Sequence, residues 1–160
     1  MWLSVRPADI GFVDRARHRF TYDYRVAASA TEVFEAVSDP EAFARWFPDL
    51  RAARWLTVAP HGAGSVREVA LKLIAVRERV LAYEPGRRFA FTITGANRPL
   101  LAKMVEDFRL TARDDGTTRV QWTVAYRPLL WARPIAPLVR PIFGRLFERA
   151  TERLIAHHAG

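Results

Sequence analysis

The last quarter of the chain runs Pro134-Ile135-Ala136-Pro137-Leu138-Val139-Arg140-Pro141-Ile142-Phe143-Gly144-Arg145-Leu146-Phe147-Glu148-Arg149-Ala150-Thr151-Glu152-Arg153-Leu154-Ile155-Ala156-His157. Its apolar residues, from Ile135 and Leu138 to Leu154 and Ile155, recur every three or four positions and form one broad helical stripe. Arg140, Arg145, Glu148, Arg149, Glu152 and Arg153 occupy the other face. A long one-sided helix needs a large surface to lie on, and nearly everything upstream reads as β-strand. The expected fold class is therefore α+β: a curved seven-stranded antiparallel sheet around one long C-terminal helix. Pro134, Pro137 and Pro141 predict an uneven helix start or a kink near Pro141.

Working back, residues 1–18 are weakly patterned and read as an N-terminal arm; residues 19–160 read as one domain. Phe20, Tyr22, Tyr24 and Val26 alternate with polar residues, as in a half-buried strand. Ser29 or Thr31 can cap a short helix, and Asp39-Pro40 ends it and caps a second one from Glu41 to Trp46. Two short helices thus separate strands 1 and 2. Further strands are expected at 51–58, 65–71, 73–83, from Phe89 to Ile93, at 103–113 and from Val120 to Tyr126. Tight turns such as Glu84-Pro85-Gly86-Arg87 join the later strands and make them antiparallel.

Residues opposite one another in a hairpin share a face, so the pattern sets the register. A Lys72-Leu73 turn puts Arg67 opposite Glu78, and the Pro85-Gly86 turn puts Glu78 opposite Ile93 and Val80 opposite Phe91. An odd loop, Asp115-Gly116-Thr117, is expected to place Phe108 opposite Val124 and Glu106 opposite Tyr126. Arg67, Glu78 and Glu106 then sit on otherwise apolar faces. A buried charge needs a partner or water. Two arrangements meet that need: a bridged core with Glu106 accepting from Tyr126, or a partly wet cavity in which a few polar groups orient an apolar ligand.

Composition narrows the classes. The net charge is +8, and the only lysines are Lys72 and Lys103. The arginines are scattered and form no dense block, which reads as a solvated basic surface, and no nucleic-acid motif is present. No cysteine exists to form a disulfide or a thiolate site. No run approaches the ~18 apolar residues of a membrane span. The N-terminus lacks the pattern of a signal peptide, and a cytoplasmic location is expected.

Several motifs carry a resemblance: Gly64-Ser65-Val66-Arg67-Glu68-Val69, Arg77-Glu78-Arg79-Val80 and Ile93-Thr94-Gly95-Ala96-Asn97-Arg98. With Asp39-Pro40, Arg45-Trp46-Phe47-Pro48 and Asp115-Gly116-Thr117-Thr118-Arg119-Val120, they resemble the helix-grip superfamily over about residues 19–158. That superfamily includes polyketide cyclase/dehydrase and lipid-transport proteins, START-related lipid binders and plant abscisic acid receptors. The resemblance implies a seven-stranded sheet gripping the C-terminal helix, with an apolar cavity between them. In the plant receptors, the glutamate matching Glu78 and the loop matching Asn97-Arg98 line the hormone pocket. Their Ser-Gly-Leu-Pro-Ala gate is missing here, so hormone reception is not expected.

The expected function is binding or transport of a small hydrophobic molecule: a lipid, polyketide or aromatic metabolite. The expected lining is Arg67, Val69, Glu78, Val80, Phe91, Ile93, Asn97, Glu106, Phe108, Trp122, Tyr126, Phe143 and Phe147. The alternative is a cyclase/aromatase or dehydratase using Glu78, Glu106 and Tyr126 as acid and base, with Arg67 stabilising an enolate. No catalytic triad, metal-ligand pair or nucleotide fingerprint appears, and no cofactor or metal is expected. A contact of Leu129-Leu130-Trp131 and the helix arginines with anionic lipid is a third reading; Glu148 and Glu152 weaken it.

Overall fold

The computed structural model describes residues 1–159. In chain order the elements are β1 (Leu3–Ser4), α1 (Phe12–Arg15), β2 (His18–Val26), α2 (Ala30–Ser38), α3 (Pro40–Ala44), β3 (Leu50–Trp55), β4 (Val66–Leu71), β5 (Ala75–Glu84), β6 (Arg88–Ala96), β7 (Leu101–Ala112), β8 (Thr118–Pro128), a 3₁₀ helix (Leu130–Ile135) and α4 (Ala136–His157). The strands form one antiparallel sheet in the order β2-β8-β7-β6-β5-β4-β3, and β1 adds a short eighth piece on β6. β2 and β3 are its free edges. This is the helix-grip arrangement, with the two short helices inserted between β2 and β3.

Local chemistry explains the helix pair. The Ser29 hydroxyl accepts from the Glu32 N–H at 3.2 Å and starts α2. Asp39 closes α2 through its backbone N–H and opens α3 by accepting from the Ala42 N–H at 3.0 Å, with Pro40 in the first turn. One residue therefore serves two helix ends. At the N-terminus, Phe12 and Val13 of α1 pack with Ala8 and Ala16 on Val105 and Ala125. Strand alternation puts that small cluster on the face of the sheet turned away from the main core.

The β4–β5 turn closes over Lys72-Leu73, with the Leu71 N–H donating to the Ile74 carbonyl at 2.8 Å. Arg67 lies opposite Glu78, Glu78 opposite Ile93 and Val80 opposite Phe91, as the pattern predicts. The β7–β8 register differs from the expected one. Phe108 faces Trp122, Glu106 faces Val124, and Met104 faces Tyr126. The loop is Asp114-Asp115-Gly116, one position earlier than expected. A turn bond from the Gly116 N–H to the Arg113 carbonyl and a closing bond from Arg113 N–H to Thr117 carbonyl hold it, with Gly116 at φ 82°. That is a turn followed by a left-handed glycine. The loop stays odd, so the inward face is unchanged while the pairs slide by two residues.

The expected helix from Pro134 begins at Ala136, because residues 130–135 tighten into the 3₁₀ helix. Pro141 lies inside α4 without ending it. Only Phe147, Ala150 and Leu154 of α4 are fully buried. The Phe147 ring meets Phe20 and Trp122 edge-on, each at 5.4 Å between centroids. Ile135, Leu138, Ile142 and Ile155, expected in the core stripe, are exposed instead. The stripe is wider than the sheet's grip: the helix meets the core along Phe143, Leu146, Phe147, Ala150 and Leu154. Among the described residues no helix is long and apolar enough to cross a membrane.

Removing the shared cap tests this account. Asp39→Ala is expected to lower unfolding free energy by about 1 kcal/mol, measured by urea denaturation.

Candidate functional site

The inner face of the sheet, from β4 across to β7, holds a buried charge cluster. Arg67 on β4 is fully buried and donates through Nε to Glu78 Oε2 on β5 at 2.7 Å. Its Nη1 donates to the carbonyls of Val37 and Ser38 at 2.9 and 3.1 Å, at the end of α2. The guanidinium carbon lies 4.5 Å from the Phe43 ring centre and within 5.4 Å of those of Phe89 and Phe91. Its Nη2 has no hydrogen-bond partner; the surrounding aromatic faces supply attraction for the cation. Burial pushes the Glu78 carboxyl upward and Arg67 pulls it back.

Glu106 on β7 has a different environment. Burial and the neighbouring Glu78 charge push its carboxyl up to about 8, against the opposing pull of Arg67 and a hydrogen bond. That bond comes from the Trp122 indole N–H to Oε1 at 3.1 Å. Sequence reasoning assigned this donor to Tyr126. The two-residue slide of β8 substitutes Trp122, which stacks on Phe108 at 5.0 Å.

The apolar pocket lies elsewhere. It is a cavity of about 50 Å³ beneath the first half of α4, over β2, β8 and β7. Phe20, Leu100, Met104, Val124, Val139, Phe143 and Phe147 supply its apolar wall, and Tyr126 and Arg140 its polar rim. Arg140 is the charged residue of that lining. Its Nη1 donates to Tyr126 Oη and its Nη2 to the Arg19 carbonyl, each at 2.9 Å, and its guanidinium sits 4.1 Å from the Phe20 ring centre. Among the described residues Arg140 has no carboxylate partner.

Of the expected lining, Tyr126, Phe143 and Phe147 border this pocket. Val69, Val80, Phe91, Ile93, Phe108 and Trp122 are packed into the main core. Arg67, Glu78 and Glu106 form the cluster just described, on the β4–β5 side and the centre of the sheet. Asn97 is exposed, and its Oδ1 accepts from the Ala75 N–H at 2.8 Å, tying down a loop. Sequence reasoning missed Leu100, Met104, Val139 and Arg140. It placed Arg140 on the solvent face of the helix, and the only sequence signal for it was a cation one position from the apolar stripe. Among the described residues no cluster of three or more His, Asp or Glu side chains could hold a metal.

A grasped C-terminal helix, a curved sheet and a pocket between them define a helix-grip protein. A family model described as polyketide cyclase / dehydrase and lipid transport matches residues 17–159, and the chain belongs to that family. An uncharacterized protein of Mycobacterium tuberculosis is 28% identical over 146 residues, covering 91% of this chain and 87% of the relative. A START superfamily protein from Mycobacterium smegmatis superposes with TM-score 0.74 at 19% identity, covering 89% of this chain and 97% of that one. The Zhui aromatase/cyclase of a Streptomyces species gives 0.70 at 16% identity, with 89% and 93% covered. At such identities the two structures share the fold with this chain.

Two outcomes follow from the charge cluster. Arg67→Met leaves Glu78 buried alone and is expected to cost about 3–5 kcal/mol, much of it recovered by adding Glu78→Leu; denaturant melts of the single and double variants measure both. For Glu106, the carboxyl titrates near 4.5 when unfolded and near 8 when folded. Between those values the folded chain holds a proton that the unfolded chain has lost. Raising pH through that window therefore removes stability, by up to about 1.4 kcal/mol per pH unit. Glu106→Gln keeps an acceptor for Trp122 and lacks this slope. Its stability relative to the parent is expected to rise steadily over the same window, read from denaturation at a series of pH values.

Proposed function

We propose that this protein binds a small hydrophobic molecule in the pocket beneath the first half of α4. The observation that carries the reading is the lining: carbon-rich walls with one uncompensated cation, Arg140, at the rim. Few, well-placed polar groups on an apolar wall are the pattern of a ligand site. Arg140 favours a ligand whose polar end is anionic. The cavity of about 50 Å³ is far below the roughly 300–1,000 Å³ of ligand clefts. A larger molecule enters by moving the first turns of α4 off the sheet. Those turns are the less firmly held part, because full burial on α4 begins only at Phe147.

The test is a thermal-shift and calorimetric series with fatty acids and the matching alcohols. Acids are expected to stabilise the protein and to bind about tenfold tighter than alcohols of equal length, a difference of about 1.4 kcal/mol. Val139→Phe, which fills the pocket, is expected to abolish both effects while keeping the fold. Absence of any apolar ligand effect, or an undiminished effect in Val139→Phe, counts against the reading.

A second reading, acid–base catalysis, is favoured by Glu106. A carboxyl that stays protonated near neutral pH can donate a proton to a carbonyl substrate; Glu106 is buried and outside the pocket lining, so on this reading the substrate reaches it only once α4 has moved off the sheet. Turnover of a polyketide-like substrate lost in Glu106→Gln, with ligand affinity unchanged, would favour this reading over simple carriage.

A further inference from the structure

Among the described residues, five exposed large apolar side chains fall on the 3₁₀ helix and the first turns of α4, beside the pocket: Leu130, Trp131, Ile135, Leu138 and Ile142. Leu130 and Trp131 on the 3₁₀ helix are 72% and 56% exposed, and Leu138 and Ile142, one turn apart on α4, are 74% and 61% exposed. Single exposed apolar residues are ordinary, but a group of them on adjoining elements marks an interaction surface. The same region is strongly basic. Arg17, His18, Arg127, Arg133 and Arg140 line a groove of about 520 Å³ that shares Tyr126, Pro128, Ala136 and Arg140 with the apolar pocket. Lys103 lines two adjoining recesses with Arg127. Among the described residues none of Arg17, Lys103, Arg127, Arg133 or Arg140 forms an ion pair, although nine arginine–carboxylate bridges exist elsewhere.

For Arg127, Arg133 and Arg140 the sequence shows why: from Gly116 to Phe147 there is no aspartate or glutamate. The first acid on α4, Glu148, lies beyond the patch, near Tyr22. A second copy of the chain is a poor occupant. A two-fold interface brings a patch against itself, and here it would press arginine on arginine with no carboxylate to neutralise either. What fits is a surface that is apolar just below a layer of fixed negative charge. Tryptophan and leucine insert at the headgroup boundary of a bilayer, and arginines pair with the phosphates above it.

We propose that the 3₁₀ helix, the exposed face of the first turns of α4 and the surrounding arginines form a docking surface for an anionic lipid bilayer. Leu130, Trp131, Leu138 and Ile142 enter the interface, and Arg17, Arg127 and Arg133 meet the phosphates. The pocket mouth then faces the membrane, so an apolar molecule passes between bilayer and pocket without crossing water. Docking itself does not depend on the pocket's being a ligand site.

The experiment is flotation of the full chain with vesicles of phosphatidylcholine alone and of phosphatidylcholine mixed with phosphatidylglycerol. The protein is expected to partition at least tenfold more strongly onto the anionic vesicles and to be released as salt is raised. Leu130→Ser with Trp131→Ser, and separately Arg127→Glu with Arg133→Glu, are each expected to cut partitioning at least tenfold. All four side chains are exposed, and unchanged melting temperatures show that the variants fold. Val139→Phe is expected to bind vesicles like the parent, which separates docking from ligand uptake. Equal or absent binding to the two vesicle types overturns the proposal, as does binding that ignores both double variants. A stable dimer that the same substitutions dissolve assigns the face to a second copy and overturns it too.

Discussion

The buried guanidinium of Arg67 constrains the rest of the interior. A cation removed from water must be compensated, and here the compensation comes from three directions. Glu78 on the next strand takes one edge, the carbonyls of Val37 and Ser38 take another, and phenylalanine rings cover the faces. Those carbonyls lie at the end of α2, so the same contacts pin the helix pair to the sheet. The cost is space. With Arg67, Glu78 and Phe91 packed together, the β4–β6 side of the interior is occupied by side chains, and the apolar pocket lies over β2, β8 and β7.

Much of this architecture was legible in the residues. Clean alternation in β2, β4, β5 and β8 sets which face turns inward, and the even loop at Lys72-Leu73 forces Arg67 opposite Glu78. The slide in β7–β8 was not legible, because parity allows both placements of a three-residue loop around Gly116. The choice falls to the side chain of Asp115, which accepts from the Thr117 N–H at 3.0 Å, and to the positive φ of Gly116. That small shift exchanged Tyr126 for Trp122 as the partner of Glu106 and released Tyr126 to the pocket rim.

The candidate site was less legible than the fold. Alternation tells which residues face the interior but not which of them touch free space. Val69, Val80 and Phe108 face inward and are packed solid, whereas Met104 and Val139 border the cavity. The difference depends on how far α4 stands off the sheet along its length. A three-to-four periodicity does not report that distance. Family membership carries the same message, since one curved sheet accommodates many interiors.

An open sheet, unlike a closed barrel, ends in two bare rims of backbone donors and acceptors, at β2 and β3. Such rims template strand addition and fibrillar growth when they are flat and apolar. Here Arg51 and Arg54 stand on one, and Arg19, Asp23 and Arg25 on the other, all exposed. On the second rim Arg140 also occupies the Arg19 carbonyl. A strand of a second copy that approached either rim would therefore meet charged side chains and, at Arg19, an acceptor that is already engaged, features that disfavour edge-to-edge pairing.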